Sequence, residues 1–299
     1  MVVIETNFQP IVAYPQPLVC CLGYFDGLHR GHQRLIQVAK HLGHPVALLT
    51  FDRHPKKDRP LHVLTPLSVK KALLESWGVS VLIIVQFTDE VMALSPTSFL
   101  EKLAAMNIHH LVVGEDFRFG QHALGDVTML KQSSLFTTHV VETMVEKGEK
   151  ISTSTILSLL GDGHVRDVTH LLGRPYQVKG YVGHGLKKGT ELGYPTANIV
   201  LEEPFYLPKN GVYITAFLYK GIRYYSLASL GYHPTVAQLS TPSLEVHVLD
   251  FAEDLYEQHV AVEFLDYIRD EKKFASLPAL IQQMDHDKMV ALQRKKHLF

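Results

Sequence analysis

Leu18-Val19-Cys20-Cys21-Leu22-Gly23-Tyr24-Phe25-Asp26-Gly27-Leu28-His29-Arg30-Gly31-His32 runs from five apolar residues through a glycine-bearing turn toward a helical pattern that begins near Gln33. That succession predicts a buried parallel strand, a loop, and a helix whose N-terminus faces the loop. Free backbone amides and the positive end of the helix dipole stabilise a phosphate at such a place, and open α/β sheets bind ligands at the carboxyl ends of their strands. His29 and His32 add two imidazole donors, Gly31 between them lets a nucleotide approach the backbone, and Gly23, Phe25 and Asp26 complete the candidate phosphate loop. Negative charge builds on the α-phosphate during an adenylyl transfer, and imidazoles held on a rigid turn suit donation to those oxygens. Random placement of the chain's 18 histidines and 20 glycines would give roughly 0.07 matches to His-x-Gly-His, so the pattern and its place after a strand point to function.

Outward from this turn, apolar runs alternate with helical stretches: helix 33–42, strand 46–51, helix 69–77, strand 81–87, helix 98–106, strand 111–114 and a last strand at 138–142. The rhythm predicts a doubly wound parallel sheet. A helix over 154–160 is broken by Gly161-Asp162-Gly163, which places a domain boundary there. Beyond Tyr176 the pattern changes to short strands at 177–182, 211–219, 224–230, 243–249 and 260–268, separated by glycine, proline and lysine turns. That spacing predicts a small antiparallel barrel or sandwich. Leu277, Leu280, Ile281, Met284, Met289 and Leu292 recur as the apolar face of a closing amphipathic helix.

Composition excludes several classes. With 29 basic and 30 acidic side chains the chain carries no field suited to nucleic acid or anionic membrane, and 46% hydrophobic content describes an ordinary globular protein. Runs such as Val81-Leu82-Ile83-Ile84-Val85 fall far short of the roughly 20 residues that span a bilayer. The N-terminus lacks the basic and apolar regions of a secretory signal, which predicts a cytoplasmic protein. Cys20 and Cys21 are neighbours on one strand and point to opposite faces, so they read as core thiols rather than a disulfide or a metal site. Nothing in the sequence specifies an oligomeric state.

A second motif lies in the second half. Gly180-Tyr181-Val182-Gly183-His184-Gly185-Leu186-Lys187-Lys188-Gly189 has the composition of a backbone cradle for phosphates, with Gly183, Gly185, Lys187 and Gly189 as its candidate contacts. An ordinary exposed hairpin has the same composition. Pro195-Thr196-Ala197-Asn198 follows, a proline-fixed turn that presents the Thr196 hydroxyl and the Asn198 amide oxygen toward one point. Two hard oxygen ligands suit Mg²⁺, which takes its remaining ligands from water and nucleotide phosphates.

These residues resemble the bacterial bifunctional riboflavin kinase and FAD synthetase family over nearly the whole chain. The N-terminal matches are the His29 turn, Thr50-Phe51-Asp52-Arg53-His54-Pro55, Val113-Gly114-Glu115-Asp116-Phe117-Arg118-Phe119-Gly120 and Ile151-Ser152-Thr153-Ser154-Thr155-Ile156. The C-terminal matches are the residues from Gly193 to Asn198, Pro208-Lys209-Asn210-Gly211-Val212-Tyr213, Leu230-Gly231-Tyr232-His233-Pro234-Thr235 and Leu244-Glu245-Val246-His247-Val248-Leu249-Asp250. The resemblance implies an α/β plus β chain: a Rossmann-like nucleotidyltransferase domain over 1–160 and a β-barrel kinase domain with a C-terminal helix over 166–290. It implies that the C-terminal domain phosphorylates riboflavin to FMN with MgATP and that the N-terminal domain adenylylates FMN to FAD. His29, His32, Ser152, Thr153 and Ser154 would then bind ATP phosphates, while Asp116, Phe117 and Arg118 line the flavin and nucleotide cleft. Thr196 and Asn198 would hold Mg²⁺, Glu245 would take the proton of the ribityl hydroxyl, and Arg269 would contact flavin or nucleotide. Strand alternation agrees for Glu245, because Leu244, Val246 and Val248 share the opposite face. Competing readings are a capping turn residue for Asp116 and a helix cap for the Ser152 segment.

Two positions depart from the family. Leu157 stands where an arginine usually closes the serine/threonine segment, and a leucine cannot replace guanidinium donors. Arg53 stands where proline is usual, so that Arg53 or Lys56 becomes a candidate source of the missing charge. Two alternatives therefore stand beside the bifunctional reading: a riboflavin kinase with a weakened adenylyltransferase module, and a flavin-binding regulator.

Overall fold

The computed structural model describes residues 1–53, 62–146, 148–184, 194–231 and 242–299. The chain divides into two compact units, Met1–Thr153 and Ser154–Phe299.

In the first unit the elements follow in the order β1 (Val2–Thr6), β2 (Leu18–Leu22), α1 (Arg30–Lys40), β3 (Val46–Phe51), α2 (Leu67–Ser76), β4 (Val81–Val85), α3 (Asp89–Met92), α4 (Pro96–Ala105) and β5 (Ile108–Gly114). Two short strands, β6 (Arg118–Phe119) and β7 (Gly125–Asp126), precede α5 (Val127–Gln132), β8 (Thr137–Val141), β9 (Val145–Glu146) and β10 (Glu149–Lys150). Six strands form one sheet in the order β1-β4-β3-β2-β5-β8, and every pair in it is parallel. From β2 the chain moves to β3 on one side, while β5 lies on the other side, so the topological switch point falls between β2 and β5. The loops after those two strands carry the His29 turn and the Asp116 segment.

All residues of β2 and β4 are buried, as a parallel sheet covered on both faces requires. Cys20 packs with Phe99, Leu100 and Leu103 of α4, whereas Cys21 packs with Leu35, Ile36 and Ala39 of α1. Both thiols are free, and burial raises their pKa values, which fits their reading as inert core groups.

In the second unit α6 (Thr153–Gly161, whose first residue belongs to the first unit) and α7 (Val165–Leu172) lead into β11 (Tyr176–Gly183), β12 (Ala197–Leu201), β13 (Gly211–Tyr219), β14 (Ile222–Gly231), β15 (Ser243–Val248), β16 (His259–Arg269) and α8 (Leu277–Leu298). The strands close an antiparallel barrel in the order β11-β12-β15-β14-β13-β16, with β16 pairing back to β11. The barrel resolves the choice with a sandwich. Tyr213 and Phe217 on β13 pack into its interior with Phe264, while the intervening Ile214 and Ala216 face a layer that contains Ala291 of α8.

The buried face of α8 differs from the sequence expectation. Leu277, Met289 and Leu292 are exposed, and the residues fully buried on this helix are Asp287 and Ala291. Two contact positions on that face are ionic: Asp287 pairs with Arg269 and Arg294 pairs with Asp266. A charge satisfied by a buried partner occupies a core position that hydropathy assigns to a leucine. The short strands β6, β7, β9 and β10 lay outside the sequence reading, as did two longer ones. β1 is an edge strand with mostly exposed residues, and β12 begins one residue after Thr196, where the sequence suggested a turn.

At Gly180 the barrel strands approach closely backbone to backbone, because a Cβ there would sit 2.2 Å from the carbonyl oxygen of Val200. Backbone on β12 must move to admit it. Gly180→Ala is expected to destabilise the second unit by on the order of 3 kcal/mol, the upper part of the overpacking range. Calorimetry of the full chain should show the barrel transition moving to lower temperature while the sheet transition stays in place.

Candidate active sites

In the first unit, His29 is the N-cap of α1, and its Nδ1 accepts a hydrogen bond from the backbone N–H of His32 at 3.4 Å. An accepting Nδ1 assigns the neutral ring's proton to Nε2. The His29 and His32 rings stack at 3.7 Å between centroids, and Phe25 meets His32 edge-on at 4.9 Å. Gly31 makes the stack possible, since a Cβ there would come within 3.1 Å of the His29 ring. The preceding turn is conformationally demanding: Phe25, Gly27 and Leu28 have φ of 54°, 83° and 46°. Left-handed geometry at two residues other than glycine costs of order 1–3 kcal/mol each and persists only where surrounding contacts hold it.

Those contacts are specific. The Asp26 carboxylate accepts backbone N–H groups from Thr65 at 2.9 Å and Leu64 at 3.3 Å, and the Asp26 carbonyl accepts from Thr153 Oγ1 at 3.0 Å. Burial raises the Asp26 pKa, opposed by those amides and by Lys70. Phe25 is a core side chain at 1% exposure, so any contact it makes with a nucleotide runs through its backbone. Ser152 is half-buried beside Thr153, and Ser154 is exposed.

After β5, Asp116 and Arg118 are exposed and Phe117 stacks on Phe119 at 5.9 Å. Asp116 forms an ion pair with Lys150, and Arg118 lies 3.5 Å from Asp126. Arg53 directs its guanidinium to the carbonyl of Phe87, with Nε at 3.0 Å. His54, Pro55 and Lys56 lie outside the described residues, and Leu157 is half-buried on α6.

In the second unit, sheet register assembles a second constellation. Gly183 of β11 faces Asn198 of β12, Asn198 faces Glu245 of β15, and Glu245 faces Ser229 of β14. Thr196, two residues before Asn198, shares its face, and Thr196 Oγ1 lies 3.4 Å from Glu245 Oε2. β15 alternates as expected: Leu244, Val246 and Val248 are buried, while Glu245 and His247 are half-buried on the other face. The Pro195 carbonyl accepts from His247 Nδ1 at 2.9 Å, and burial lowers the His247 pKa, which keeps the ring neutral at pH 7. Tyr194, packed edge-on to His247 at 5.1 Å, donates its hydroxyl to Asp285 of α8. These two polar contacts hold the Tyr194-Pro195 stretch that leads into Thr196.

A cavity of about 270 Å³ opens beside this row, lined by Val182, Thr196, Val246, Phe251, Asp254 and Tyr256. Tyr256 stacks on His184 at 4.5 Å. The Phe251 to Tyr256 stretch escaped the sequence reading, whose only signal was two aromatics in an otherwise polar connection. Gly185, Lys187, Gly189, Gly193 and residues 232–235 lie outside the described residues. Arg269 directs Nε and Nη2 onto Asp287 at 2.7–3.0 Å and Nη1 onto the Asp270 carbonyl, so its donors are largely engaged within the protein. Among the described residues no group of three or more His, Cys, Asp or Glu side chains is arranged to hold a metal ion. The hard oxygens of Thr196 and Asn198 instead fit a cation that arrives with nucleotide phosphates.

Comparison with known proteins matches each half of the chain to an enzyme family. Residues 12–155 match the FAD synthetase family, and residues 172–294 match the riboflavin kinase family. A Listeria monocytogenes protein named bifunctional riboflavin kinase/FMN adenylyltransferase is 35% identical over 281 residues, 90% of either chain. Proteins of the same name from Bacillus subtilis and Escherichia coli are 35% and 34% identical over 92% and 91% of either chain. A crystal structure described as a macrolide-efflux protein from Streptococcus pneumoniae shares the fold with a TM-score of 0.91 at 31% identity, covering 97% of this chain and 99% of that one. Among the described residues of the present chain no helix is long and apolar enough to cross a membrane. Matched along nine-tenths of its length by relatives above 30% identity, and by both family models in sequence order, the chain belongs to the bifunctional riboflavin kinase/FMN adenylyltransferase family.

Proposed function

We propose that this chain phosphorylates riboflavin to FMN with MgATP in its barrel unit, over about residues 166–290, and adenylylates FMN to FAD with ATP in its sheet unit, over about residues 1–160. The observation that carries the kinase reading is the row of Thr196, Asn198 and Glu245 on adjacent strands beside a cavity. Glu245 takes the proton of the ribityl 5′-hydroxyl as its oxygen attacks the γ-phosphorus of ATP, and ADP leaves with the electrons of the broken anhydride bond. Thr196 and Asn198 would hold a Mg²⁺ ion, which would supply charge neutralisation to the nucleotide phosphates. Gly183 opens the proposed phosphate cradle, whose other candidates, Gly185, Lys187 and Gly189, lie outside the described residues. Arg269 acts by bracing α8 through Asp287.

In the sheet unit a phosphate oxygen of FMN attacks the α-phosphorus of ATP and pyrophosphate leaves. His29 donates from Nε2 and His32 stands against it, at the N-terminus of α1 where free amides and the helix dipole favour the same charge. Asp116, Phe117 and Arg118 follow β5 on the far side of the switch point, where a flavin bound between the two loops meets them. Leu157 motivates a second reading, a kinase with a weakened adenylyl step. Incubating the protein with riboflavin and MgATP, then separately with FMN and MgATP, and resolving the flavins over time decides between them. FAD in both runs supports both activities; FMN that never proceeds to FAD supports the kinase alone.

Glu245→Gln should lower riboflavin phosphorylation by about 10²–10⁴-fold, the usual contribution of a positioned base, while conversion of added FMN to FAD continues at the wild-type rate. For His29, asparagine is the informative replacement because it caps helices as well as any residue. His29→Asn should leave the melting temperature nearly unchanged yet slow FAD formation by about 10²–10³-fold, the scale of losing one donor to developing charge. Retained FAD synthesis in that variant would remove His29 from the chemistry.

A further inference from the structure

Lys70 has no part in the mechanism above. It lies on α2, is 5% exposed, and among the described residues is the only buried lysine. Its Nζ donates to the Tyr24 carbonyl at 2.9 Å and to Thr50 Oγ1 at 3.1 Å, and it lies 5.1 Å from the centre of the Tyr24 ring. Thr50 Oγ1 donates to the same Tyr24 carbonyl at 2.7 Å. Burial pushes the Lys70 pKa down to about 8, opposed by the Asp26 carboxylate, so the group is mostly charged at pH 7. A methionine or leucine would fill this helix position without taking a charge out of water. Retention of the ammonium therefore asks what the charge does.

The answer lies in the segment it touches. Tyr24 immediately precedes the turn in which Phe25, Gly27 and Leu28 are left-handed, and His29 follows as the cap of α1. Lys70 and Thr50 hold the entrance of the turn at the Tyr24 carbonyl. Asp26 ties the middle to Leu64 and Thr65, the residues that lead into the helix bearing Lys70, and Thr153 secures the Asp26 carbonyl. The turn is thus tied at two points to α2 and the segment before it, at the Tyr24 carbonyl by the Lys70 ammonium and at the Asp26 carboxylate by the amides of Leu64 and Thr65.

We infer that Lys70 is a positioning residue for adenylyl transfer: acting through the Tyr24 carbonyl and the turn of residues 24–28, it fixes His29 and His32 at the phosphate site. The inference rests on the adenylyltransferase reading of the first unit. It also accounts for a costly buried cation beneath a turn whose geometry few contacts would otherwise enforce. A misplacement of about 1 Å costs on the order of 10²-fold in rate, so the device acts on kcat more than on binding.

The test uses the full chain and its two activities. Lys70→Met should lower kcat for FMN to FAD by about 10- to 100-fold, change KM for FMN and ATP by less than about threefold, and leave riboflavin phosphorylation unchanged. The first unit should stay folded at the assay temperature, with a lowered melting temperature because the buried Asp26 carboxylate loses an opposing charge. Thr50→Val, which keeps shape but deletes the other donor to Tyr24, should show a smaller loss, and the double variant should lose less than the product of the two, since both act through one carbonyl. Wild-type FAD synthesis in Lys70→Met, or a rate loss matched by a lost folded fraction of the first unit, overturns the inference. A wild-type chain that makes FMN but no FAD fails the adenylyltransferase reading itself, and this inference falls with it.

Discussion

Successive side chains of a β-strand point to opposite faces, and both units depend on that alternation. In the sheet unit it sends Cys20 to one core and Cys21 to the other, so that β2 is buried on both faces and its free end becomes the natural exit toward a loop. In the barrel it places Thr196 and Asn198 on one face with hydrophobic Ala197 turned the other way, and does the same for Glu245 between Leu244 and Val246. Register then aligns the polar faces of neighbouring strands. A slip of one residue between β12 and β15 would bury Glu245 and expose Val246, so packing of the barrel interior enforces the chemistry.

On the proposed function, phosphate recognition rests on local geometry rather than net charge. The chain carries a formal charge of −1, which gives no long-range attraction for nucleotides. The proposed sites offer directed groups instead: the first amides of α1, an imidazole that caps that helix, and side-chain oxygens on one face of neighbouring strands. The strain of the turn at residues 25–28 and the desolvation of Lys70 are local costs borne by a sheet whose core is largely apolar. Fixed dipoles in a dry environment need no reorganisation when charge develops, which is why such costs are retained at a site of transfer.

The parts of this architecture that were legible in the sequence are those where one local rule dominates. Five-residue apolar runs bounded by glycine identify β2 and β4, and alternation identifies β15. Recognition of the His29 turn needed only a strand ahead of it and a helix behind it. Where tertiary partners overrule local composition, the reading failed. β1 is an edge strand whose Val2 and Val3 are exposed, β12 hides behind Pro195, and the periodicity of α7 begins just past a glycine break. On α8 the exposed Met289 and Leu292 and the buried Asp287 invert the hydropathy rule, because Arg269 supplies Asp287 with a full set of donors. Lys70 was invisible for the same reason: a lysine in a helix is ordinarily solvated, and only the Tyr24 carbonyl and Asp26 make a buried one intelligible. The Arg269 contact predicted for flavin illustrates the converse, where a matching residue proves to be engaged with its own protein.

The two activities are linked chemically, because the product of phosphorylation is the acceptor of adenylylation, while the units that carry them are built on separate cores. Each therefore serves as a reference for the other. A substitution that unfolds its own unit removes one activity and shifts one thermal transition, whereas one that misplaces a reacting group removes an activity and shifts no transition. The ratio of the two rates, taken on a single preparation, is independent of protein concentration and of general damage. In most enzymes a buried lysine such as Lys70 leaves structural and catalytic roles entangled, since both are read through one activity. Here the barrel reports on the integrity of the chain while the sheet reports on the turn, so the contribution of a single carbonyl contact becomes a measurable quantity.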